Sequence, residues 1–89
     1  MTFDKEAVQQ AVRLKVIELA KTMGEDASDL TVDEIIPASG FIDSAALLDL
    51  IAWFEASYRI AIPAADLTID NLGSAALMAD YLMRRTQGG

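Results

Sequence analysis

The chain has 89 residues, of which 53% are apolar, enough for one packed domain and too apolar for a disordered tail. It contains neither cysteine nor histidine, which excludes disulfide frameworks, zinc knuckles, thiol nucleophiles and every Ser-His-Asp arrangement. Fourteen acidic residues against seven basic ones give a net charge of −7, which repels nucleic acid and anionic lipid and suits a basic protein partner.

The first predicted element is a helix from about Asp4 to Met23. Val8, Val12, Val16, Leu19, Ala20 and Met23 recur at spacings of three and four and form one stripe, with Leu14 and Ile17 expected to widen it. Gly24 is placed to stop the helix and Lys21 suits its last turn. A long loop follows, about Glu25 to Phe41, rich in Asp, Ser, Thr, Pro and Gly. Leu30, Val32, Ile35 and Ile36 are too apolar for a free linker, so this loop should pack across the helices. Its acidic run does not fit a calcium loop. Counted from Asp29, the sixth position is Glu34 where Gly is needed, and the twelfth is Gly40 where a carboxylate is needed.

The second long helix is predicted from about Ser44 to Tyr58. Asp43 is its cap, because a carboxylate there accepts from the orphaned amides of the first turn. Ser44 then falls inside that turn, where the positive end of the helix dipole favours a bonded phosphate. Ala46, Leu47, Leu50, Ile51, Phe54 and Tyr58 share the core face, and Trp53 sits at its edge. The opposite face carries Ser44, Ala45, Leu48, Asp49, Ala52, Glu55 and Ala56. It has no positive residue and one large apolar side chain, the pattern of a docking surface rather than a solvated face.

Pro63 disfavours helix at Ile62, so Arg59 to Pro63 should form an extended bend, and Pro63 to Leu67 should start a short helical turn. The final helix is predicted from about Ser74 to Arg85. Leu77 pairs with Tyr81 and Met78 with Leu82, Ser74 is the cap, and Arg84 and Arg85 suit the C-terminal dipole. Residues 86–89 are expected to form a mobile tail. Its Gly-Gly end suggests no ubiquitin-like modifier, since those are strand-rich and this chain reads as helical. The expectation is a single all-α domain over residues 1–89, with three longer helices, one short helix and a long loop between the first two.

Charge is distributed unevenly. No Lys or Arg lies between Lys21 and Arg59, where Glu25, Asp26, Asp29, Asp33, Glu34, Asp43, Asp49 and Glu55 all fall, so one end of the molecule is expected to be strongly negative. No apolar run is long enough to cross a bilayer, and the first residues lack the apolar segment of a signal peptide. A cytoplasmic monomer without membrane insertion is expected. Asp43 and Asp49 could be imagined as an acid–base pair. A surface helix, however, gives neither the burial that shifts a pKa nor a pocket, so no enzyme and no catalytic or metal site is expected.

Taken together, Gly40, Asp43-Ser44, Leu48-Asp49-Leu50, Phe54-Glu55, Tyr58, Ile60 and Ile62-Pro63 resemble the acyl and peptidyl carrier protein family. Members show Asp-Ser-Leu, an acid five positions after the serine, a Glu eleven after it and an aromatic fourteen after it; Asp49, Glu55 and Tyr58 meet these offsets. Asp66-Leu67-Thr68 and Asn71-Leu72-Gly73-Ser74 extend the likeness over nearly the whole chain. The resemblance implies a four-helix bundle of acyl-carrier type. It implies that Ser44 bears 4'-phosphopantetheine, transferred from coenzyme A by a phosphopantetheinyl transferase that Asp43 helps to recruit. The arm's thiol would carry an acyl or aminoacyl thioester from a loading ligase to a downstream synthase or transferase with a basic docking surface. Ala45, Leu48, Asp49, Ala52 and Glu55 would meet these partners. Ala45 departs from the family, which usually has Leu or another bulky apolar residue after the serine. That departure motivates the alternative of a carrier-like adaptor that is never loaded. Gly-Phe-Ile-Asp-Ser looks closer to D-alanyl carriers and freestanding secondary-metabolism carriers than to housekeeping fatty-acid carriers. The sequence names no cargo.

Overall fold

A computed structural model describes residues 3–87, and every described element is helical. Helix α1 spans Lys5–Thr22. Asp4 caps it by accepting from the Glu6 amide at 3.1 Å, and Gly24 at φ +79° turns the chain out of it. Val8, Val12, Val16 and Ala20 are buried, one residue per turn, against α5 and α3. Each such valine contributes about 1.5–3 kcal/mol by leaving water. Leu19 and Ile17 flank this stripe half-buried. Leu14 and Met23 do not join it: they are 58% and 40% exposed. At about 100° per residue, Leu14 stands roughly 200° from Val12, on the far side of the helix.

The expected long loop carries a one-turn helix, α2, over Ile36–Ser39. Pro37 stands in its first turn, where a missing N–H costs nothing, and Gly40 at φ +80° ends it. As expected, the loop packs inward: Ala27, Leu30, Ile36 and Ile42 are buried. Arg13 of α1 fastens it by donating from Nε to the Leu30 carbonyl and from Nη2 to the Ser28 carbonyl, each at 2.6 Å. The acidic segment therefore lacks basic residues in sequence but has one against it in space.

Helix α3 spans Ser44–Tyr58. Ala46, Leu50 and Phe54 are buried, Leu47, Ile51 and Tyr58 are half-buried, and Trp53 lies at the core edge as expected. Phe3, Trp53, Phe54 and Tyr58 form an edge-to-face aromatic cluster, with Phe54 and Tyr58 centroids 5.1 Å apart. Arg59 ends α3 in the left-handed region at φ 55°, and the extended bend runs to Pro63. The expected short turn is a 3-10 turn over Ala64–Asp66. A further one-turn helix, α4, follows over Ile69–Leu72, capped by Thr68, whose hydroxyl accepts from the Asn71 amide. Helix α5 spans Ala75–Gln87 and packs on α1 and α4. It runs two residues beyond the expected end, taking in Thr86 and Gln87. Gly88 and Gly89 of the expected tail lie outside the described residues.

Two backbone bonds join the loop to the far end of the fold. The Ile36 amide donates to the Gly73 carbonyl at 2.7 Å, and the Ala76 amide to the Val32 carbonyl at 2.8 Å. The second supplies an acceptor for a first-turn donor of α5 that its own helix leaves unpaired. Gly73 permits this close corner, because a Cβ there would stand 2.5 Å from the Ile69 carbonyl oxygen.

Candidate functional site

Ile42 is buried and anchors the approach to α3, so the next residues emerge at the surface. Asp43 is extended, at φ −92° and ψ −176°. Its carboxylate accepts from the Ala46 amide at 2.9 Å, and its carbonyl from the Leu47 amide at 2.9 Å. Asp43 thus supplies both acceptors that open the helix. Ser44, one residue further, is exposed, and its hydroxyl has no bonding partner among the described residues. The amides of Ser44 and Ala45 also lack partners among the described residues, and they sit at the positive end of the α3 dipole.

Below Ser44 lie two adjoining hollows that share Pro37 and Leu47. The first, about 230 Å³, is lined by Pro37, Ile42, Asp43, Ser44 and Leu47. The second, about 110 Å³, continues between α3 and α4, with Ile51, Leu67, Ile69 and Leu72 on its walls. Neither Pro37 nor any residue of α4 is among the site residues expected from the sequence. The available signal was large apolar side chains in irregular segments: Leu67 and Ile69 are 43% and 56% exposed.

On the outer side of α3, Ala45, Leu48, Asp49 and Ala52 are all exposed, Leu48 by 65%. Glu55 stands differently. It is half-buried, and its Oε2 accepts from the Ile62 amide at 2.8 Å, so this carboxylate holds the bend after α3. The bulky group that usually follows the serine is missing at Ala45, and Leu48, one turn on, is the large apolar side chain nearest in register.

The exposed serine thus stands beside the cap of its own helix, at the rim of a hollow that it lines with Pro37, Ile42, Asp43 and Leu47. Residues 16–82, more than half of the chain, match the family described as Phosphopantetheine attachment site. The chain belongs to that family, the acyl and peptidyl carrier proteins, which attach 4'-phosphopantetheine covalently. No curated protein and no solved structure matches it. Carrier domains of this family interact with phosphopantetheinyl transferases and partner enzymes. The residues at the start of α3 fit the group: two unpaired amides and the positive end of the helix dipole suit a phosphodiester at Ser44. Among the described residues no helix is long and apolar enough to cross a membrane.

Proposed function

We propose that Ser44 is the attachment residue and that the chain is a cytoplasmic, non-catalytic carrier with the four-helix layout of acyl carriers. It would shuttle a thioester-linked acyl or aminoacyl group between partner enzymes, in secondary metabolism or fatty-acid-like biosynthesis. One observation carries the assignment: Asp43 takes over the capping of α3, which leaves the Ser44 hydroxyl exposed at the helix mouth. In the loading step the Ser44 Oγ–phosphorus bond forms as the pyrophosphate of coenzyme A breaks, and 3',5'-ADP leaves. The serine needs exposure rather than activation by a neighbour, since the transferase brings the base. The arm supplies the thiol that this cysteine-free chain lacks.

Partners would dock on Ala45, Leu48, Asp49 and Ala52, with Leu48 as the apolar contact and Asp49 facing a basic side chain. Glu55 would offer only the carboxylate oxygen that Ile62 does not occupy. Intact mass after incubation with coenzyme A and a broad-specificity transferase tests the assignment. One arm should be added to the wild type and none to Ser44→Ala. Absence of the arm with several transferases, and on protein isolated from its native source, would instead support an unloaded adaptor.

A further inference from the structure

The segment from Pro63 to Gly73 is a strap between α3 and α5, built from a 3-10 turn and one turn of α-helix. Pieces this short do not hold their shape in water on their own. Leu67, Thr68, Ile69 and Asp70, in the middle of the strap, are exposed, yet Leu67, Thr68 and Ile69 also wall the hollow against Leu47 and Ile51. Side chains of α5 tie the strap at both ends. At one end, the Tyr81 hydroxyl donates to Asp66 Oδ2 at 2.8 Å and accepts from Arg85 Nη1 at 2.6 Å. At the other, Arg84 Nη2 donates to Asn71 Oδ1 at 3.4 Å, while Asn71 Nδ2 donates to the Asp66 carbonyl at 3.2 Å. The Tyr81 ring is buried, which fixes where its hydroxyl stands. Burial and the bond to Asp66 raise the Tyr81 pKa above its ordinary value against the opposing pull of Arg85, so the hydroxyl keeps its proton and remains a donor.

We propose that Asp66, Tyr81 and Arg85 form a latch that holds the strap closed over the groove beside Ser44, and that its release lengthens the groove for an apolar group tethered there. The part of the hollow between α3 and α4 is about 110 Å³, and Leu67, Thr68 and Ile69 of the strap form one of its walls, so displacing the strap widens the groove. The latch stands independently of what occupies the groove; only the tethered occupant rests on Ser44 as the attachment residue.

Amide hydrogen exchange on the full, unloaded chain tests the latch. Tyr81→Phe keeps the ring and deletes the bond. The amides of Leu67, Asn71, Leu72 and Gly73, which bond within the strap, should exchange about tenfold faster, the effect of losing one hydrogen bond to a charged group. Amides of α1 and α3 should not change. Lys5→Ala, which removes the ion pair between Lys5 and Asp80 of α5, should leave the strap amides alone. Strap amides that do not accelerate, or that accelerate no more than those of α1 and α3, overturn the latch. For the groove, the chain is loaded with acetyl- or octanoyl-pantetheine and the Leu47, Ile51 and Leu72 methyl resonances are followed. Octanoyl should shift them more in Tyr81→Phe than in wild type, and equal shifts in both overturn the gating. Failure of both proteins to load is a failure of the attachment assignment, and the exchange result still decides the latch.

Discussion

Two serines stand at the start of long helices in this chain, and their hydroxyls are placed in opposite ways. Ser74 is buried, and its Oγ accepts from the Leu77 amide at 3.1 Å, capping α5. Ser44 is exposed, because at α3 the capping is done by Asp43, one residue earlier. A cap sits outside the helix with its side chain turned back onto the first amides, whereas the next residue already points away from the axis. An offset of one residue therefore decides whether a hydroxyl is spent on its own backbone or is left for another molecule.

The strongest way to break this contrast is to impose one arrangement on the other. Asp43→Ser combined with Ser44→Ala turns the start of α3 into Ser-Ala-Ala, the same run as Ser74-Ala75-Ala76. Serine and aspartate are caps of similar strength, so α3 should persist and the melting temperature should move by only a few degrees. A hydroxyl is still present, but it now caps the helix, and loading with the arm should fall to nothing by intact mass. Persistent loading would show that position along the helix mouth is not what selects the serine.

The approaches to the two helices differ as well. Gly40, before α3, has a positive φ with open space around it, whereas Gly73, before α5, has ordinary α-helical dihedrals and no room for a Cβ. Gly73→Ala must push α4 away from the corner, and overpacking of this kind should cost about 1–3 kcal/mol. Gly40→Ala meets no atom and should cost only about 1 kcal/mol for a left-handed alanine. Thermal unfolding of the two variants should rank them in that order. Ser74→Ala comes next, at about 1 kcal/mol for a lost cap with loading intact. Loss of loading in Ser74→Ala without loss of stability would undo the assignment of the two serines.

The long helices were legible because each has a periodic apolar stripe between a cap and a breaker: Asp4 to Gly24, Asp43 to the bend before Pro63, and Ser74 onward. The cap and the exposed serine followed from local rules alone. The one-turn helices α2 and α4 did not, since four residues carry no period to read. Asn71-Leu72-Gly73 carries a likeness to the family but no local signal of the corner that Gly73 makes possible by sterics. The groove escaped for a related reason: its walls come from α2, α3 and α4, whose meeting depends on long-range bonds such as Ile36 to Gly73. Leu14, expected to widen the stripe of α1, is exposed because its angle on the helix sets it on the far side from Val12.

The docking face gives the smallest effect and the finest test of the same contrast between spent and free groups. Asp49 is exposed on α3, while Glu55, two turns along, already serves the Ile62 amide. Asp49→Asn removes a charge that a basic partner can reach, and exposed charge pairs of this kind are worth about 0.2–1 kcal/mol. Loading by a transferase, measured as initial rate below saturation, should fall about two- to fivefold at low salt, consistent with such energies. In 1 M salt, where the screening length is about 3 Å, the variant and the wild type should converge. Glu55→Gln keeps an oxygen for Ile62 and removes a charge already partly committed, so its rate should fall less than that of Asp49→Asn. If Glu55→Gln has the larger effect and it vanishes in salt, the half-buried carboxylate is the one that partners read, and bonding to the backbone does not withdraw an acid from docking.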